Sequence, residues 1–195
     1  GTPQKRQDLI SLSTLLGITG IIQDPVTHQP LSIIQQFQQK VALPQNRDAA
    51  GNLELKFRTS IDPGNGIFGT ELAMDTIQDV KINLVGLSGS PTGYVTLIQS
   101  GTGRLRGEDG SLTQYDLQPK TALVAAAINA DASILGSDST VPASTDLFGR
   151  PVDDPSWTLL IDQADDPMNA ALNLSQLQDI QIILDHQGIT LPQSP

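Results

Sequence analysis

Two stretches carry one pattern: Met74-Asp75-Thr76-Ile77-Gln78-Asp79-Val80-Lys81-Ile82-Asn83-Leu84 and Leu174-Ser175-Gln176-Leu177-Gln178-Asp179-Ile180-Gln181-Ile182-Ile183-Leu184. They align without a gap at an offset of 100, since 177 − 77 = 100 and 184 − 84 = 100. Each has a polar turn, an apolar anchor, Gln-Asp and then alternation. Val80, Ile82 and Leu84 alternate with Lys81 and Asn83, the period of a half-buried strand. The match runs backwards to Phe57 and Trp157, and to Ile61-Asp62 and Ile161-Asp162. Each unit is therefore expected to be strand, turn-rich loop, strand. Two copies are too few for a solenoid and point to two equivalent places in one core.

Outward from these units the chain punctuates often. Tyr94–Ser100 reads as a strand, and Gly101-Thr102-Gly103 as a hairpin turn rather than a phosphate loop, because no helix follows. Thr121–Ala130 fits either a helix or a buried strand. Asp8–Leu16 can also be drawn either way, with Ser and Thr among aliphatics favouring strand. Residues 1–7 are polar and expected to be loose. Pro30–Val41 predicts a helix, with Ile33, Ile34, Phe37 and Val41 on one face. About eight short strands between turns and one helix in the N-terminal half predict a mainly β fold. The expected form is an antiparallel β-sandwich of jelly-roll type. Residues 1–195 are expected to be a single domain, excised from a larger protein.

Composition excludes several roles. The 195 residues carry a formal net charge of −10, against the basic surface that nucleic acids and anionic membranes require. Cysteine is absent, which removes disulfides, thiol catalysis and cysteine-bound zinc. No apolar run approaches membrane-spanning length. His28 and His186 are the only histidines, and both read as loop or surface filler. No Gly-x-Ser-x-Gly or His-Glu-x-x-His occurs, so no catalytic residue is assigned and an enzyme is the least favoured reading. Asp62, Asn65, Asp162, Asp165 and Asp166 fall in the two equivalent loops and offer oxygens of the kind calcium takes, but without ligand spacing. Local backbone capping is the expected role, with no metal or other cofactor. Asp79 and Asp179 are likewise expected to fix turns through backbone amides. Trp157 and Phe57 read as core.

The order of these segments resembles the B-component-binding C-terminal domain of the A subunit of bacterial Tc (toxin complex) toxins. Leu9-Ile10-Ser11-Leu12 before Pro30-Leu31-Ser32-Ile33-Ile34 is similar to the family's first strand and turn. Thr76–Leu84 stands at its middle strand and Leu177–Ile182 at its closing strand. Gln78-Asp79 and His186-Gln187 depart from the basic pair and the Arg-Tyr found there in the family. The resemblance implies a secreted bacterial, non-catalytic domain that docks a β-propeller B component. It also implies an oligomeric parent, with the isolated domain expected to be monomeric. The predicted contact residues are Asn65, Ile67, Phe68, Asp165, Asp166 and Met168, in the equivalent loops 62–69 and 162–169. A carbohydrate-binding module is the alternative. It wants an aromatic platform, and aromatic residues make up only 4% of the chain.

Overall fold

The computed structural model describes residues 1–60, 68–69, 72–89, 92–129 and 142–191. The chain runs β1 (Pro3–Ser11), α1 (Leu12–Leu15), β2 (Ile22–Gln23), β3 (Pro30–Leu31) and α2 (Ile33–Ala42). It continues through β4 (Leu53–Arg58), β5 (Leu72–Val85), β6 (Thr92–Arg106), β7 (Leu112–Asp116), β8 (Lys120–Asn129), β9 (Asp153–Ile161) and β10 (Asp179–Thr190).

The fold is mainly β, as alternation and turn density predict, but it is not a jelly-roll sandwich of two antiparallel sheets. Among the described residues one curled sheet dominates, in the order β1-β10-β5-β8-β6-β9-β4, with β7 paired to β6. It is mixed, because β5 and β8 run parallel from Ile82↔Ala126 to Val85↔Asn129. A sequence of short alternating runs carries no direct mark of parallel pairing, which is set by the path of the connection. The strands are also longer than expected. β6 runs unbroken through Gly101-Thr102-Gly103, and the hairpin turn falls instead at Gly107–Gly110.

The repeat has a structural counterpart. Its two copies pair with each other: β4 lies antiparallel to β9 with Phe57 opposite Trp157, and β5 antiparallel to β10 with Ile82 opposite Ile182. Phe57 and Trp157 stack at 6.1 Å with their planes 3° apart, both buried, as their core assignment requires. Trp157 Nε1 donates to Thr59 Oγ1 at 2.9 Å, so the buried indole keeps a polar partner.

The concave side of the sheet holds one hydrophobic cluster. Leu53, Leu55, Ile82, Leu84, Val95, Leu97, Val124, Leu159, Ile161, Ile182 and Leu184 all belong to it. Phe37 and Val41 of α2 join that cluster, which accounts for the apolar face predicted for this helix. The helix starts later than Pro30, because Pro30 and Leu31 pair with Gln23 and Ile22. Ser32 is the N-cap, and Ser32 and Gln35 form a reciprocal capping box. Residues 3–7 are not loose. They pair with β10 from Pro3↔Ile189 to Gln7↔Asp185, a partner nearly the whole chain away and invisible to local patterning. Asp8–Leu16 is both things in turn, a strand to Ser11 and then a helical turn from Leu12. Of the stretch 121–130, residues 121–129 lie in strand β8.

Candidate functional site

Strands β1, β10 and β5 lie side by side at one border of the sheet, and alternation sends their side chains to two faces. On the concave face is a histidine held by two carboxylates. His186 Nδ1 lies 2.7 Å from Asp75 Oδ1 and Nε2 lies 2.6 Å from Asp8 Oδ2. His186 is only 3% exposed and Asp75 is 7% exposed. Phe68 lies edge-on to the imidazole at 5.3 Å. Burial alone would push the His186 pKa down. The hydrogen bonds and negative charges of Asp75 and Asp8 outweigh it, and the pKa is raised above its ordinary value. His186 is thus neither loop nor surface filler; it joins three strands. His28 does stay in an exposed loop, its N–H donating to Asp24 O at 2.9 Å.

The opposite face carries a second cluster. Asp79 of β5 stands directly across from Asp185 of β10. Burial first, then the hydrogen bond and negative charge of Asp185, raise the Asp79 pKa to about 6, while Lys81 pulls the other way. Gln7 Nε2 donates to Asp185 Oδ1 at 2.9 Å, but Asp79 Oδ1 is buried and meets no donor. The register slips between Asp185 and His186, leaving Gln78 bulged. Above these carboxylates lies an open cleft of about 550 Å3, lined by Lys5, Gln7, Gln78, Asp79, Phe148 and Asp185 among others. A second cleft over Met74, Gln187 and Ile189 shares Gln78 and Phe148 with it. Phe148 is 66% exposed and Met74 45%, so the two clefts form one surface with apolar side chains on its rim.

The segment that brings Phe148 here, residues 144–150, lies shortly before β9. Ser144 exchanges two backbone hydrogen bonds with Val80, and Ile77 does the same with Gly149 and Arg150. These cover the border of β5 that β8 leaves free. Phe148 sits at the turn between them.

Sequence-predicted residues fall elsewhere. Asn65 and Ile67 lie outside the described residues. Phe68 is buried, with its ring against His186. Asp165 is exposed and its N–H donates to Asp162 Oδ1 at 2.9 Å, while Asp166 Oδ1 accepts the Met168 N–H at 2.9 Å. The carboxylates of Asp162 and Asp166 cap their own loop. Met168 is 53% exposed and remains available. No group of three potential metal-ligating side chains converges among the described residues. Asp179 accepts the neighbouring Ile180 N–H at 2.9 Å, but most of its bonds reach the junction of β1 and α1 instead of its own turn: it accepts from Ser13 N and Oγ at 3.0 Å and from Ser11 Oγ at 2.5 Å. Asp79, its repeat partner, caps no turn. Asp8, Asp75, Asp185 and Phe148 were not singled out by sequence reasoning, and only the pairing of β1, β10 and β5 puts the first three in their clusters.

No family model matches the sequence, and no curated protein matches it. A solved structure does match in shape, the cryo-EM structure of Yersinia pseudotuberculosis TcaA-TcaB. The superposition covers 97% of this chain at a TM-score of 0.50 and 14% identity. The fold is Tc-toxin-like. The chain spans about 10% of the length of that neighbour. Among the described residues no helix is long and apolar enough to cross a membrane.

Proposed function

We propose that this chain is a non-catalytic docking domain of a secreted bacterial toxin complex, binding the β-propeller B component through the face over β1, β10 and β5. The observation that carries the reading is the exposed pair Phe148 and Met74 on adjoining clefts, in a fold shared with a segment of a Tc component. Large apolar side chains grouped on a surface, beside polar groups, favour association. His186 lends no support to a catalytic role, because both its ring nitrogens are engaged by carboxylates. A general base needs one nitrogen free to take a proton from a nucleophile. Loop 162–169 contributes through Met168 rather than through its self-capped aspartates.

The test is calorimetric titration with the propeller component from the same source. Phe148→Ser with Met74→Ser should weaken binding at least tenfold and leave the far-ultraviolet spectrum unchanged. Unchanged affinity would remove this face from the proposal. No binding by the wild-type chain would end the assembly role and bring a glycan screen forward.

A further inference from the structure

We propose that the cleft over Asp79 and Asp185 receives an arginine side chain of the docking protein, its guanidinium bridging the two carboxylates and its stem lying on Phe148. This deepens the docking role proposed above and rests on it.

The argument starts from what the cleft lacks. Like charges directly opposite on neighbouring strands repel. Here two carboxylates face each other, and among the described residues no lysine or arginine forms an ion pair with either. Lys5 and Arg6 of β1 line the same cleft without bridging to them, and Lys81 of β5 acts only at a distance. The other ionisable neighbours, Asp8 and His186, are committed to each other. Asp79 Oδ1 is buried without a donor.

The repeat supplies an internal control. An offset of 100 carries Asp79 to Asp179, and Asp185 back to Val85, so the Asp79–Asp185 pair has a counterpart in Asp179–Val85. At that counterpart a single carboxylate faces an apolar residue. The hydroxyls of Ser11 and Ser13 and the Ser13 N–H, at the start of α1, fill its acceptor sites. At the Asp79 end there is one carboxylate more, and Asp79 Oδ1 meets no such donor; both ends open onto a cleft.

The missing group must therefore be cationic, carry several donors and fit beside an exposed ring. A guanidinium meets all three conditions. Its planar fork can donate to two carboxylates at once, where an ammonium acts as a compact point charge. Its flat face also packs against an aromatic ring such as Phe148. The net charge of −10 favours approach of a basic partner.

The test is Asp79→Asn combined with Asp185→Asn, which keeps shape and removes charge. Urea midpoints at pH 7.5 should be equal to or above wild type, because a repulsion is removed, while affinity for the propeller component falls at least tenfold. Wild-type affinity should also fall between pH 7.5 and pH 5.5 as the pair takes up a proton, and the double variant should be flat over that range. Equal affinity of the two proteins at pH 7.5 would overturn the arginine site while leaving the docking role standing. If the wild-type chain binds no propeller, acetyl-Leu-Arg-amide followed by NMR decides the question. Shifts at Asp79, Asp185 and Phe148 in wild type but not in the double variant support the site. Their absence, or saturation of the cleft by calcium instead, overturns it.

Discussion

Replacing His186 by leucine tests the clamp that ties β1, β10 and β5 together. The substitution keeps an apolar side chain of similar size and removes both ring nitrogens. Asp75 would then be left 7% exposed without the partner it meets at 2.7 Å. Breaking a buried charged pair from one side costs about 3–5 kcal/mol. At about 2–4 °C per kcal/mol for a chain of this size, Tm should fall by roughly 6–20 °C. Replacing Asp75 by leucine as well removes the stranded carboxylate and should recover most of that loss. The clamp also has a pH signature. A histidine pKa raised in the folded state contributes stability that is fully present below the unfolded value, 6.5, and is lost as pH rises through the folded value. Asp79 acts in the same direction. With a folded pKa of about 6 against 3.8, its cost is absent below pH 3.8 and complete above about 6. Asp24, Asp48 and Asp109, whose pKa values are lowered by hydrogen bonds from neighbouring backbone or side-chain donors, contribute stability that is lost only as pH falls below about 4. Urea unfolding should therefore give a higher midpoint at pH 5 than at pH 8 in wild type, with a smaller difference in His186→Leu. A loss under about 1 kcal/mol, or a wild-type chain more stable at pH 8, would refute the assignment of a charged, doubly held imidazole.

Two further substitutions probe the frame around the site. Asp179→Ala removes the acceptor of Ser11 and Ser13 at the junction of β1 and α1, and should cost about 1.5–3 kcal/mol in chemical denaturation. Gly86→Ala adds a methyl group where φ is +96° and the carbonyl of Gln176 would lie 2.6 Å away, so a loss of about 1–3 kcal/mol or more is expected from the same measurement.

Much of this fold is legible in the sequence because its signals are local. Alternation at Val80–Leu84 and Leu53–Arg58, the apolar face of α2 and the inward Phe57 and Trp157 follow from side-chain period alone. Pairing is not local. Nothing within residues 3–7 says that they lie against residues 185–189, and a polar strand at a sheet border reads as a tail. The candidate site depends on that pairing. Asp8, Asp75 and His186 are each ordinary in their own neighbourhood and become a clamp only when three strands align. Phe68 illustrates the reverse case. A large apolar residue in a turn-rich loop suggests a surface contact, but its ring is spent on covering the buried imidazole.

The repeat and the site are related through the place where the repeat stops. Positions 79–85 and 179–185 are strand in both copies, and they pair about Ile82 and Ile182. Beyond that shared segment the copies diverge. β5 begins early, at Leu72, whereas the matching residues 172–178 form turns around Leu174–Gln176. β10 ends late, at Thr190, whereas β5 stops at Val85 and Gly86 turns away with positive φ. Because the strands are antiparallel, both extensions lie at the same end of the sheet and pair with each other, His186 with Ile77 and Thr190 with Leu72. That end alone also carries residues 3–7 of β1 and the Phe148 turn. The clamp, the bulge at Gln78 and the exposed Phe148 therefore belong to structure added beyond that shared segment, and the facing carboxylates stand at its border. At the Asp179 end of the shared segment the carboxylate is filled by the chain's own serines. The Asp79 end leaves a buried oxygen and an exposed ring to be completed by another molecule, so it is there that a partner has the most to contribute.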